Sequence, residues 1–296
     1  MCYVMIKGKG EAGKRMKSGV LILDLKNSRM MTAKERIEAQ EKLEYSAGVV
    51  NKLYGRSLVA EVRFSAGDSV QGVFSSAGKA LSAAYMFCML MYPLKVRCGA
   101  GSGEILDALI CKDTNRIDGE AYHRAQTALA GAKESDGERM IMYMGGGASD
   151  IVVNGLIEAA EREIRNHTEK QAMIFNILQV LSFYPIEGFG AVEYASAVYG
   201  HLAQTAKDYS QGGAEIGEAR FIEEVRGARA VRPRISENGL YVEKYVNTAF
   251  FPLVGELLGV TAENVRQMAE KADFSGINKL LLTALYVCGE DVFKEG

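Results

Sequence analysis

Two aspartates stand out by where they fall. Asp24 comes at the end of the apolar run Gly19–Leu25, the pattern of a buried central strand that delivers one side chain to a site. Asp68 belongs to Gly67-Asp68, which separates two short β-rich runs, Ser57–Ala66 and Ser69–Phe74, as a hairpin turn does. If the first strand runs up and a crossover helix returns down, the second strand runs up again, and the turn carrying Asp68 arrives beside Asp24. Two carboxylates at one sheet edge suit a hard cation, Mg²⁺ or Mn²⁺, which takes oxygen ligands and binds through one or two carboxylates plus phosphate oxygens. Ions held this way clamp the attacking and leaving oxygens of phosphoryl transfer. The loop Lys26-Asn27-Ser28-Arg29 adds backbone donors and two positive side chains just before a helix N-terminus. Asn27, Ser28 and Arg29, together with Gly67 at the facing turn, are the candidate phosphate binders.

The elements that must position these groups are legible. Thr32-x-x-Glu35 is a capping box, and Leu43, Ala47, Val50 and Tyr54 recur at helical spacing behind it, which predicts a helix of about six turns. A second, strongly apolar helix is predicted over Ala77–Met91, stopped by Pro93, and Leu94–Ile105 resumes as a strand. The order is β, α, β, β, α, β, the ferredoxin-like, palm-type unit. Gly99, Gly101 and Gly103 in the last strand read as packing glycines, since their spacing fits neither G-x-G-x-x-G nor a P-loop. A helix over Asp118–Lys133 and an added strand over Arg139–Tyr143 follow. Past Gly145-Gly146-Gly147 helical periodicity dominates, as in Ile174, Ile177, Leu178 and Leu181 behind the box Thr168-x-x-Gln171. The reading is α+β: a lead-in over 1–18, a palm domain over 19–146 and a mainly helical domain over 147–296. Within the latter, 249–272 has the helix, tight turn, helix arrangement of a helix-turn-helix.

Four motifs in order, Asp24-Leu25-Lys26-Asn27-Ser28-Arg29, Gly67-Asp68-Ser69-Val70-Gln71-Gly72, Arg97-Cys98-Gly99-Ala100-Gly101-Ser102-Gly103-Glu104-Ile105 and Asp118-Gly119-Glu120-Ala121-Tyr122-His123-Arg124-Ala125, resemble the SatD family of bacterial cytoplasmic proteins. Their N-terminal part is similar to the class III nucleotidyl cyclase fold. The resemblance implies a nucleoside triphosphate ligand, Asp24 and Asp68 as metal ligands with the Leu25 carbonyl assisting, and a homodimer. It also shows departures. His123 and Thr127 stand where cyclases place the Asn and Arg that stabilise the transferring phosphoryl group. Phe64 and Arg116 stand where they place the base-reading Lys and Asp. His123 and Arg124 are the candidates for a catalytic role, with Arg97 a further cation that could serve.

Composition sets the remaining bounds. The chain has 296 residues, 48% of them apolar, enough for packed cores and for roughly two domains of about 150 residues. Its net charge of −2 is a cancellation: Met1–Asp150 carries 21 basic and 17 acidic residues, Ile151–Gly296 carries 14 and 20. The positive half coincides with the carboxylate pair and the phosphate-type loop. The negative half coincides with the helix-turn-helix pattern, where Arg232 and Arg234, together with Arg266 and Gln267, would have to carry any DNA affinity. DNA binding therefore ranks below nucleotide binding. Five cysteines without C-x-x-C spacing support neither a disulfide framework nor a zinc ribbon, so a reducing, cytoplasmic setting is expected. Ala80–Leu94 is too short to span a bilayer, and no membrane partner is expected. Gly8-x-x-x-x-Gly13-Lys14 lacks the Ser or Thr that holds Mg²⁺, Arg15 taking its place, and leads toward a strand; it reads as a Gly/Lys turn.

Overall fold

The computed structural model of the chain describes residues 15–106, 118–135, 139–182, 191–209, 216–227 and 246–289. Five strands form one sheet among these residues: β1 (Arg15–Leu25), β2 (Leu58–Ala66), β3 (Ser69–Phe74), β4 (Val96–Leu106) and β5 (Ile141–Met144), in the order β2-β3-β1-β4-β5. β1 is central and antiparallel to both β3 and β4, β2 is antiparallel to β3, and β5 adds in parallel beside β4. Two helices make the crossovers, α1 (Ala33–Tyr54) from β1 to β2 and α2 (Ala77–Met91) from β3 to β4. The β, α, β, β, α, β order read from the sequence is therefore present: the first crossover leaves the position that β3 fills, and the second passes over β1.

Each face of the sheet is covered by different helices, and strand alternation decides which residue goes where. Leu21, Leu23 and Leu25 of β1 join Val70, Phe74, Cys98 and Ala100 in one apolar cluster with α1 and α2. α1 supplies Leu43, Ala47, Val50 and Tyr54 to it, the four positions of the sequence periodicity. α2 is buried along most of its circumference, as expected of a helix without a polar face, because further helices cover its outer side. The same cluster runs on through α4 (Ser149–Arg165), α5 (Glu169–Ser182), α6 (Ala191–Tyr209), α7 (Glu218–Gly227), α8 (Phe251–Leu258), α9 (Ala262–Lys271) and α10 (Phe274–Val287).

The opposite face is covered by α3 (Glu120–Glu134), which packs Ala121, Ala125 and Leu129 against Val20, Ile22, Val73 and Ile105. The three glycines of β4 make this approach possible. A Cβ at Gly99 would lie 2.2 Å from the Ala125 carbonyl oxygen, one at Gly101 2.2 Å from that of Ala121, and one at Gly103 2.7 Å from a Glu120 carboxylate oxygen. They are packing glycines, as their spacing suggested.

Both edge strands have backbone groups tied by helix side chains. Asn51 of α1 accepts from the Val62 N–H (2.7 Å) and donates to its carbonyl (2.9 Å) on β2. On β5, Asn154 of α4 does the same for Tyr143 (2.9 and 2.7 Å), and Glu161 accepts from the N–H groups of Met140 and Ile141. Such ties occupy groups that would otherwise template pairing with another chain.

Glu161 is 2% exposed, and burial pushes its carboxyl up to about 7, against the opposing effect of the two backbone donors. The folded-state value thus lies above the unfolded one, so the folded chain holds this proton while the unfolded chain releases it as pH rises. Stability from this group is greatest at acid pH and is lost as pH climbs from about 4.5 to about 7. The thermal midpoint of the wild type is expected to fall by a few degrees more between those pH values than that of Glu161→Gln. Scanning calorimetry of both proteins across that range checks it, and parallel curves would remove Glu161 as the cause.

Candidate functional site

The capping box sets where α1 begins. The Thr32 hydroxyl accepts from the Glu35 N–H, and the Glu35 carboxylate accepts from the Thr32 N–H and from the Thr32 hydroxyl (2.8 Å each); the latter two donors hold the Glu35 carboxyl below its ordinary value. From this start α1 reaches the β2–β3 turn, where the Gln40 amide donates to the Gly67 carbonyl (3.2 Å). Gly67 itself has φ +56°, the left-handed conformation that makes glycine the natural residue there. The turn is also fastened to β1: the Leu25 N–H donates to the Asp68 carbonyl (3.3 Å), and the Ser69 hydroxyl donates to the Leu23 carbonyl (2.9 Å). The turn carrying Asp68 and the residue Asp24 therefore lie at the same end of the sheet.

Asp24 projects on the α3 face, in register between Ser69 of β3 and Arg97 of β4. Its side chain is only 15% exposed. One carboxylate oxygen, Oδ2, is ion-paired with the Lys133 ammonium at the last turn of α3. The other, Oδ1, is buried and has no hydrogen-bond partner among the described residues, and the same is true of Arg97 Nε on the neighbouring strand. Leu25 is 3% exposed and packs inward, so only its backbone is offered to the site. Asp68 is half-buried.

The loop after β1 continues from this end. Asn27 adopts φ 61°, Ser28–Met30 form a single 3₁₀ turn, Arg29 is exposed, and the Arg36 guanidinium donates to the Ser28 carbonyl (3.3 Å). The Lys26 N–H donates to the Lys95 carbonyl (2.9 Å), which joins this loop to the lead-in of β4. Lys26, Arg29, Lys95, Arg97 and Lys133 thus belong to segments meeting where Asp24 and Asp68 lie.

His123 and Arg124 lie elsewhere. His123 Nε2 is 3.1 Å from an Asp118 carboxylate oxygen at the exposed start of α3. Arg124 donates to the Ser102 carbonyl (2.7 Å), pairs with Glu120 (2.7 Å) and lies against Gly146. Ser102 is the register partner of Gly19, five residues before Asp24, which is about 17 Å along the strand. The structure does not bring these two residues to the carboxylate pair. The reason is the direction of α3, which runs back along β4 from Gly103 to Gly99 and ends over Asp24.

Lys133 was missed, although a signal for it exists. Gly103, Gly101, Gly99 and Arg97 step by two along a strand, about 6.8 Å each time; Ala121, Ala125, Leu129 and Lys133 step by four along a helix, about 6.0 Å. The two ladders stay in phase, so the residue four beyond Leu129 meets the strand row of Arg97 and Asp24.

Asp24 Oδ1, buried and without a partner among the described residues, is the kind of oxygen a divalent cation takes, and the Asp68 turn is fastened to the next residue of β1, Leu25. No group of three or more His, Cys, Asp or Glu side chains placed to hold a metal occurs among the described residues. An ion at Asp24 and Asp68 would need oxygens from a ligand, which is how Mg²⁺ is bound with phosphates.

At the C-terminal end α8 and α9 are joined across a tight turn. α8 ends at Gly259 (φ 65°), and Thr261 caps α9 by accepting from the Asn264 N–H (3.1 Å). Arg266 is engaged on both sides by its own helix, with Glu263 and Glu270, and the Gln267 amide donates to Glu263 (3.0 Å). These pairs raise the Arg266 guanidinium and lower the Glu263 carboxyl to about 2. Arg232 and Arg234 lie outside the described residues, as do Gly8–Lys14, Cys2, Cys111 and Arg116. Cys88, Cys98 and Cys288 are free thiols. Among the described residues no helix is long and apolar enough to cross a membrane.

Comparison with curated proteins gave no match. The family model of the SatD family matches residues 20–199, more than half of the chain and the stretch that contains β2 to β5, the second half of β1, Asp24, Asp68, Arg97 and Lys133. The order of motifs around the two aspartates and the extent of that match together place the chain in the SatD family.

Proposed function

We propose that the five-stranded region is a cyclase-like palm domain that binds a nucleoside triphosphate with Mg²⁺, or Mn²⁺, at Asp24 and Asp68, and that the helical region reports or regulates its state. One observation carries this reading: at the end of the central strand, Asp24 keeps a buried carboxylate oxygen without a partner among the described residues, close to the turn that carries Asp68. The surrounding cations, Arg97, Lys133 and Lys26, suit the phosphates. The metal would supply charge neutralisation of the phosphates; the chain supplies two carboxylates and a loop of backbone donors over Asn27, Ser28 and Arg29. The resemblance to cyclases adds a homodimer to the proposal. Should the bound nucleotide react, the change would be attack of a ribose hydroxyl on the α-phosphate with release of pyrophosphate. His123 and Arg124 are too far along α3 to take part from the same chain.

A DNA-binding regulator with a non-catalytic palm is the other reading. It has less support, because Arg266 and Gln267 already spend their donors on Glu263 and Glu270. Calorimetric titration with ATP, GTP, CTP and UTP in Mg²⁺ tests the leading proposal, and mass spectrometry of the same mixtures reads any product. Micromolar binding of at least one triphosphate is expected. Binding of none, with salt-sensitive retention of duplex DNA instead, would favour the regulator.

A further inference from the structure

The Lys133–Asp24 pair has a consequence for how a metal reaches this site, and the inference rests on the nucleotide reading above. We infer that Lys133 is a shared ligand: it holds Asp24 while the site is free of nucleotide and turns to a phosphate oxygen when a metal–triphosphate complex enters, so the bare divalent cation is kept out. The segments meeting at this end of β1 carry two carboxylates, Asp24 and Asp68, and five cations, Lys26, Arg29, Lys95, Arg97 and Lys133. The set is positive before any ion arrives. A bare divalent ion would add two more positive charges to it, and Lys133 already covers the Oδ2 it needs. A metal–triphosphate complex brings anionic oxygens of its own, which Arg97 can meet in place and Lys133 by turning.

Arg97 and Lys133 differ in how free they are to turn. Lys133 is 46% exposed and extends from the last turn of α3 on a flexible four-carbon stem, so its ammonium can swing without moving the helix. Arg97 lies within β4, its Nε buried and unpartnered among the described residues, which leaves that donor in place for an incoming oxygen. Lys133 is thus the moving ligand and Arg97 the fixed one.

The test uses the full chain and two probes, Mn²⁺ alone, followed by the loss of its free paramagnetic resonance signal, and Mn²⁺ with the triphosphate that binds the wild type. In Lys133→Gln, bare Mn²⁺ is expected to bind on the order of tenfold more tightly than in the wild type, and the Mn²⁺–triphosphate complex several-fold more weakly. Lys133→Arg, which keeps the charge, should follow the wild type in both titrations. Unchanged or weaker binding of bare Mn²⁺ by Lys133→Gln would overturn the inference, and so would Lys133→Arg behaving like Lys133→Gln. Absence of Mn²⁺–triphosphate binding in the wild type would instead overturn the nucleotide reading on which it rests.

Discussion

Gly101→Val is expected to destabilise the fold more than any other single change considered, by at least about 3 kcal/mol, a drop in thermal midpoint on the order of 10 °C. Its Cβ would sit 2.2 Å from the Ala121 carbonyl oxygen and 2.3 Å from the Ala125 amide nitrogen. Both are backbone atoms of α3, so no side chain can rotate away, and relief requires lifting the helix from the strand. That movement would open the packing of Ala121, Ala125 and Leu129 against Val20, Ile22 and Ile105. Lys133, at the far end of the same helix, would be carried away from Asp24. Urea unfolding followed by circular dichroism measures the loss. Gly67→Ala provides a contrast, since a Cβ there meets nothing within 4 Å and the cost is confined to the left-handed backbone.

The second large effect is on ligand binding. Asp24→Ala is expected to weaken Mg²⁺–triphosphate binding on the order of 100-fold while the thermal midpoint changes by only a few degrees. The carboxylate is the one acidic group that β1 itself delivers to the α3 face at this end, and its Oδ1 has no other duty in the described structure. Its Lys133 partner is half exposed and can be hydrated once the carboxylate is gone, which keeps the stability cost small. Asp68→Ala should weaken binding as well, since its turn lies against Leu25. His123→Ala, by contrast, should leave binding unchanged, because its contact is with Asp118 at the opposite end of α3. Calorimetric titrations of the three variants separate these expectations.

Much of this arrangement could be read from residue order because it depends on local signals. The apolar run into Asp24, the Gly67-Asp68 turn and the box Thr32-x-x-Glu35 each fix one element, and the crossover rule then brings the two aspartates together. The strand and helix limits agree within a few residues; β1 extends back to Arg15 instead of starting at Gly19, because β4 is long enough to pair with it as far as Leu106. What was not legible depended on a helix's direction across a face. Periodicity shows that Glu120–Glu134 is a helix with an Ala-rich stripe, but only the match of that stripe to Gly103, Gly101 and Gly99 reveals that Lys133, rather than His123 or Arg124, arrives at Asp24. The ties of Glu161 and Asn154 to β5 were invisible for a similar reason: nothing in a helical pattern tells which polar side chain will meet an edge strand.

The central claim is that a metal–nucleotide complex sits between Asp24 and Asp68. Anomalous diffraction from crystals grown with Mn²⁺ and a non-hydrolysable triphosphate tests it most directly. The account predicts a Mn²⁺ peak within coordinating distance of both carboxylates, with Lys133 turned from Asp24 to a phosphate oxygen. Nucleotide bound elsewhere on the chain, with the Lys133–Asp24 pair intact and no Mn²⁺ beside it, would contradict it.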